Sequence, residues 1–502
     1  MSYAALVKHY RTIFHLGHVD AMASWDEATM MPIGGRDARS EALSTLRGVI
    51  HQQATHERLS GLFAAAAKEA GALSPWEQAN LRLMEREWAR ATALPQGLVE
   101  AMSRAESRSE QAWRTLGQGN DFVGFLPFFR EVVRLKREAA QALGNELALD
   151  PYDALLDEYE WGARAASIAP LFARLRAFMP GLIARAVERQ SREPVAACQG
   201  PFPVNRQHWL VLELMRRLGF DFDHGRVDVA PTAFCSNVPT DVRIAVHYDV
   251  DDFVGAMMGV VHECGHAKYQ QNLPRDWLDQ PVGAGRSTNL HESQSLLYEM
   301  QVGRSRAFLE FAAPIIAEAF PAAVARSGEA FNPEDLFLRM TRIKPGFIRR
   351  SADEATYPCH IILRFELEKS LIDGSLRPED VPEAWDASMR ELLGLSTRGN
   401  DRDGCLQDVH WPAGMFGYFP TYTLGALTAA QMFDALRRAH PDLNEQIRRG
   451  DFSVIDGWLR ENVWSHGSSL SSTELVERAT GGALGTEAFE RHLERRYVLR
   501  ES

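Results

Sequence analysis

The sequence predicts a mainly α-helical protein with one small β-sheet beside a single helix. Three observations predict it. Stretches rich in Ala, Leu, Arg and Glu run through residues 38–70, 97–145, 166–192 and 426–450 with helical texture. Ser74-Pro75-Trp76-Glu77 spells a capping box with proline at the first helical position, and Leu81, Met84 and Trp88 follow at helical spacing. One segment alone alternates: in Asp241–Tyr248, Val242, Ile244, Val246 and Tyr248 interleave with Arg243, Ala245 and His247, the periodicity of a strand.

Taken in order, residues 226–236 form a candidate partner strand, weakened by Pro231, which cannot donate to a ladder. After the 241–248 strand, Asp249 is expected to cap a helix, with Asp252 at N3 and Phe253, Met257, Val260 and Val261 on its apolar side. No Gly-rich loop suited to phosphates stands at this strand-to-helix junction, so a nucleotide-binding reading has no support. Neither a low-complexity segment nor a fixed-period repeat divides the chain. Residues 1–502 are therefore expected to form one large helical body, with two lobes around a central cleft.

Composition narrows the function classes. The chain has 502 residues, 45% of them apolar and 24% charged, which excludes a disordered chain or a fibrous rod. Lys and Arg number 55 against 67 Asp and Glu, a net charge of −12, which argues against nucleic acid or an anionic membrane as partner. Five scattered cysteines, Cys198, Cys235, Cys264, Cys359 and Cys405, fit reduced thiols that serve as small core residues. The N-terminus has no long apolar h-region, and the most apolar later stretch, Phe311–Ala325, is broken by Pro314, Glu318 and Pro321. A soluble, cytoplasmic protein is expected.

The helix after the strand carries His262-Glu263-Cys264-Gly265-His266. Residues i and i+4 share one helix face, so both imidazoles can converge on one ion. Glu263 projects about 100° round the helix, a geometry set by 3.6 residues per turn, and borders the open position where it can take a proton from water. This is the HExxH arrangement, on an apolar helix directly after a strand, as zincins place it. A third ligand is needed. The metzincin spacing falls on Asn272, which excludes that class. A carboxylate from a later helix is the alternative, and Glu292, 26 residues past His266, opens a helical stretch with Leu296, Leu297 and Met300. Its neighbour His291 points about 100° away, so the two are not expected to share one ion.

HECGH followed by His291-Glu292-Ser293-Gln294-Ser295 resembles the carboxypeptidase Taq family of metallocarboxypeptidases, the M32 peptidases. Further segments carry the resemblance. Asp241-Val242-Arg243-Ile244-Ala245 resembles the family's DxRxT, with Ala245 in place of the threonine. Ile348–Glu354 matches I/N-R-x-x-A/S-D, and Gly404–Trp411 matches GxxQDxHW. Trp25–Pro32 and Asp150–Tyr159 also look like the family. The resemblance implies a helical, zincin-like metallopeptidase with a deep groove, often a homodimer. It implies a zinc ion, sometimes replaced by cobalt, held by His262, His266 and Glu292. It also implies removal of single residues from the free C-termini of peptides with broad preference.

The chemistry expected from these residues is metal-assisted hydrolysis, with Glu263 moving the proton from water to the leaving amine. The oxyanion needs a further donor. His410, Tyr418 and Tyr422 are candidates, and Tyr422 is preferred over Tyr418 from its separation from His410, similar to that of the His/Tyr pair in related helical zincins. A terminal carboxylate suits the planar fork of arginine. Arg349 and Arg350 lead, with Arg243 behind. Asp408 is a candidate to orient His410 or a ligand imidazole. A dipeptidyl- or oligopeptidase, and a non-enzymatic helical scaffold, are the competing readings.

Overall fold

The structure is a computed structural model that describes residues 2–236 and 238–501. Most of the chain is helical, and the predicted helical stretches break where backbone chemistry demands it. Helix α1 spans Ser2–Thr29. The 38–70 stretch is two helices, Arg36–Ala54 and Arg58–Glu69. Ser74 caps Pro75–Ala93 (α2) in the expected reciprocal way: its hydroxyl accepts from the Glu77 amide, and the Glu77 carboxylate accepts from the Ser74 amide at 2.8 Å. The 97–145 stretch also divides, into Gln96–Leu116 and Phe122–Leu147, around Asn120 in the left-handed region and the capping carboxylate of Asp121. Pro151–Tyr159 (α3) then leads to a long apolar helix, Ala165–Gln190. That helix buries Phe172, Leu175, Met179 and Leu182, while Arg174, Arg176 and Arg185 on its other side pair with carboxylates.

The sheet has three strands in the order β1-β3-β2: Gly225–Val229 (β1), Phe234–Cys235 (β2) and Val242–Val246 (β3). The expected single partner strand over 226–236 is two strands on opposite sides of β3. The amide of Ala230 makes the last bond on the β1 side, to the Val246 carbonyl. Pro231 has no amide to continue, so the chain turns and returns antiparallel, with Phe234 opposite Ala245 and Cys235 opposite Ile244. Strand β1 runs parallel to β3, Gly225 opposite Val242.

Helix α4, Phe253–Gln271, follows the sheet. Its cap is Asp252, whose carboxylate accepts from the Val254 and Gly255 amides, and not the expected Asp249. Asp249 instead closes the preceding turn, bridging to Asp252 and accepting from the Asp251 amide. The apolar side of α4 packs with Val242, Ile244 and Val246 in one large core. Helix α5, Thr288–Leu296, crosses α4 and runs on into a π-helical turn, Leu297–Gly303. A second large core gathers around Tyr357–Asp373 (α6) and Trp411. Helix α7, Pro420–Ala439, feeds both cores: Ala429, Met432 and Phe433 enter the first, Leu424, Leu427 and Ala430 the second.

Candidate active site

Helix α4 presents His262 and His266 one turn apart, with ring centroids 5.0 Å from each other. Glu292 reaches them from α5: its Oε2 lies 3.3 Å from His266 Nε2 and 3.7 Å from His262 Nε2. One ligand atom from each of the three residues falls within 4.8 Å of the others, a spacing that fits two imidazoles and a carboxylate around a small cation. Two glycines permit this approach. A Cβ on Gly265, inside the motif itself, would sit 2.4 Å from the Gln294 carbonyl oxygen and 2.6 Å from the Ser295 Cα on α5. A Cβ on Gly425 of α7 would lie 2.9 Å from Glu292 Cγ. Helix α5 is thus held between α4 and α7, and Glu292 has little room to turn away.

Each imidazole is oriented from behind. Glu299, on the π-helical turn, places Oε2 2.9 Å from His262 Nδ1, and Arg304 binds the other Glu299 oxygen at 2.7 Å. His266 Nδ1 meets His291 Nδ1 at 2.6 Å, and His291 Nε2 in turn meets the Gln270 amide. For His266 to offer Nε2 as a ligand, its Nδ1–H must donate to His291, so His291 belongs behind the site, as its direction on the helix predicted. Arg304 and Gln270 had no recognisable spacing signal in the sequence. The signal that existed for Glu299 was its position seven residues beyond Glu292, two turns along the same side of a helix.

The charges follow from this crowding. Burial opposes charge on His262, but Glu292, Glu299 and Glu263 outweigh it and raise it to about 10. Burial pushes Glu292 up, and His262 and His266 reverse this, holding it at about 2. Glu263 is only 6% exposed; burial lifts its pKa above the ordinary carboxylate value against the pull of the two histidines. A carboxylate so placed is a better proton acceptor than a solvated one.

The three residues open onto a cavity of about 1120 Å³. Tyr418, Tyr422, Arg349 and Arg350 line it, as expected, and so does Tyr357, which sequence reasoning missed. Tyr418 and Tyr422 stand edge to face, 5.3 Å between ring centroids. Two candidates are placed elsewhere. Arg243 is not on the cavity wall; it folds back on Asp241 with a two-point ion pair at 2.6 and 2.9 Å. His410 is not there either. It packs on Phe419 and Tyr418, the two residues that lead into α7, ring centroids 4.4 and 5.5 Å away. Burial and the nearby arginines lower it to about 4 despite Asp408, so its ring is neutral at physiological pH.

The GxxQDxHW segment acts as scaffold. Asp408 orients no imidazole; it accepts from Arg349 at 2.8 and 3.0 Å through one oxygen and from Arg364 through the other. Burial would raise its pKa, and the two guanidinium groups drive it well below the carboxylate range. Arg349 donates from its third nitrogen to the Tyr357 hydroxyl at 2.6 Å, and its amide bonds to Gln407. Trp411 donates to Glu368 at 2.8 Å. Arg350, next in sequence, is exposed at the cavity wall with no acceptor among the described residues. Ala245 lies away from the cavity, in a small cluster with Trp25, Ala230 and Phe234, so the methyl that replaces a threonine hydroxyl faces apolar rings.

The family model described as carboxypeptidase Taq (M32) metallopeptidase matches residues 5–497. Thermostable carboxypeptidase 1 of Thermus thermophilus is 37% identical over 512 residues, covering 99% of this chain and 98% of that protein. Carboxypeptidase 1 of Bacillus subtilis is 32% identical over 488 residues, covering 97% and 96%. Among solved structures, Trypanosoma cruzi metallocarboxypeptidase 1 matches with a TM-score of 0.96 at 42% identity over 99% of both chains. An M32 carboxypeptidase from Deinococcus radiodurans matches with a TM-score of 0.94 at 33% identity, over 99% of this chain and 98% of the other.

Proposed function

Because the chain belongs to the carboxypeptidase Taq (M32) metallopeptidase family, we propose that it is a zinc-dependent carboxypeptidase that removes single residues, with broad preference, from peptides with a free C-terminus. The observation that carries the reading is the convergence of His262, His266 and Glu292 beside Glu263 on one large cavity. His262, His266 and Glu292 would hold a divalent ion, zinc by the donor set with cobalt as a substitute, and such an ion would supply Lewis-acid polarisation of a scissile carbonyl and a more acidic water.

The chain's own residues supply the rest. Glu263 takes the proton of the attacking water and hands it to the leaving amine. Its raised affinity for protons suits both halves of that task. The hydroxyl of Tyr422, with Tyr418 and Tyr357 beside it, donates to the oxygen on which negative charge develops. Arg350, at the cavity wall with no acceptor among the described residues, grips the terminal carboxylate. Arg349 already makes a hydrogen bond from each of its three nitrogens, and holds Tyr357 in place.

The test is mass spectrometry of an unblocked peptide incubated with zinc-loaded protein, beside the Glu263→Gln variant and the same peptide amidated. A ladder losing one C-terminal residue at a time is expected, absent with the variant and with the amide. Internal fragments or losses of two residues would favour an oligopeptidase. No cleavage with zinc bound would leave a binding scaffold.

A further inference from the structure

A second, smaller cavity of about 90 Å³ opens where α7 meets the helix Glu487–Leu493 and the π-helical turn Glu494–Leu499. Four arginines line it: Arg437 from α7, Arg491 from the helix, and Arg495 and Arg496 from the turn. In a chain of net charge −12, composition does not explain such a gathering. Arg491 and Arg495 are exposed, whereas Arg496 and Gln301, on the same wall, are 3% and 2% exposed. The cavity therefore reaches from the surface inward to the turn Leu297–Gly303 that carries Glu299.

The acidic groups around it do not balance the four cations. Asp434 lies 3.2 Å from Arg491 and is shared with Arg438. Glu501 is exposed and stands 3.8 Å from Arg495. Glu354 pairs with Arg496 at 3.3 Å but is also engaged by His492 and the Tyr497 hydroxyl. Arg437, half-buried, has no acceptor within hydrogen-bond distance among the described residues. Burial lowers its pKa, and Arg495 and Arg496 lower it further against the pull of Asp434. The Nε of Arg496 is buried without a partner, while its other two nitrogens donate to the Met300 and Gln301 carbonyls and to Glu354.

Guanidinium groups gathered this closely repel one another, and their planar forks match the oxygens of an oxyanion. A volume of about 90 Å³ is that of roughly three waters at about 30 Å³ each, room for an anion of a few atoms and too little for a peptide or a nucleotide. We propose that this cavity binds one tetrahedral oxyanion of the phosphate or sulfate class, which bridges Arg437 on α7 to Arg495 and Arg496 and so fastens the turn Glu494–Leu499 to α7. The site shares Gln301 with the wall of the catalytic cavity, but none of His262, Glu263, His266 or Glu292.

The experiment is calorimetric titration of the full-length protein with inorganic phosphate at low ionic strength, beside Arg437→Met and Arg495→Met, with melting temperatures taken in the same solutions. One saturable site is expected, weakened about tenfold or more in either variant, and sulfate should compete for it. Phosphate should raise the melting temperature of the parent and not that of Arg437→Met. Without phosphate, Arg437→Met should melt no lower than the parent, because it removes a repelled cation. Phosphate affinity unchanged in both variants would put the anion elsewhere, the metal site included, and overturn the assignment. Sodium chloride of equal ionic strength reproducing the rise in melting temperature would mean charge screening alone and also overturn it. An Arg437→Met protein that melts lower than the parent by the same amount at every phosphate concentration would make Arg437 structural and overturn it as well.

Discussion

Glu299 holds His262 by the ring nitrogen that faces away from Glu292: its Oε2 is 2.9 Å from Nδ1, while Nε2 lies 3.7 Å from Glu292 Oε2. Arg304 in turn holds Glu299. The ring can then present only one tautomer to an ion, with Nδ1–H donating and Nε2 open. Glu299→Gln is expected to weaken zinc binding by roughly 10–100-fold, the usual cost of losing such a partner. Competition against a chromophoric chelator measures it, and an unchanged affinity would remove Glu299 from the site.

Metal loading should expel a proton. Without an ion His262 is raised to about 10 and is protonated at neutral pH, whereas Glu292, held at about 2, is already ionised. Zinc must displace the His262 proton, so affinity should rise with pH through the neutral range. Calorimetry at pH 7 in buffers of different ionisation enthalpy should report release of about one proton per ion. A buffer-independent heat would contradict the charge state assigned to His262.

Two glycines on α4 make a matched pair. Gly265→Ala puts a methyl 2.4 Å from a backbone oxygen of α5 and must push the helices apart. It is expected to destabilise by about 1–3 kcal/mol and to weaken metal binding. Gly259→Ala meets only Ala233 Cβ at 3.7 Å and should be neutral or stabilising by about 0.5–1 kcal/mol, since alanine is the better helix former. Equal effects in urea titrations would refute the close-approach argument.

Asp408 binds two arginines whose side chains are 6% and 0% exposed. Asp408→Asn leaves both cations without their counter-charge. A loss of about 3–5 kcal/mol in unfolding free energy is expected, together with a raised KM for free-acid peptides as Arg349 and its chain neighbour Arg350 lose their fixed positions. A catalytic role for Asp408 would instead lower kcat in a protein of normal stability.

Glu354 predicts a pH window for stability. Burial pushes its pKa up, but His492, Arg496 and Tyr497 hold it at about 2 against an ordinary value of 4.5. A depressed carboxylate contributes stability that is present above the ordinary value and is lost as pH falls through the folded one. The contribution is on the order of 3 kcal/mol at neutral pH. The stability gap between the parent and Glu354→Gln should therefore close between about pH 4.5 and 2. A gap that persists unchanged to pH 2 would show that the pairing is not electrostatic.

The sequence by itself determined whatever rests on neighbours along the chain. The Ser74–Glu77 capping box, the alternation of β3 and the i, i+4 histidines are local patterns, and each formed as written because short-range hydrogen bonding and side-chain direction dictate it. Glu292, 26 residues from His266, was already at the edge of that reach. Small displacements of the same kind explain the cap at Asp252 instead of Asp249 and the strand that Pro231 split in two.

Only the tertiary structure decided which side chains face one another across elements. Arg243, His410 and Asp408 carry the right chemical groups, yet Arg243 folds onto Asp241, His410 packs on Phe419 off the cavity wall, and Asp408 is consumed by two arginines. Arg304 and Tyr357 were silent because nothing in their spacing marks them. They acquire roles where α5, its π-helical turn, α6 and α7 close around α4. The physical reason is that an ion pair or a ligand contact needs atoms within about 3–4 Å. Such distances between residues far apart in sequence are set by how helices pack, down to the two missing methyl groups at Gly265 and Gly425.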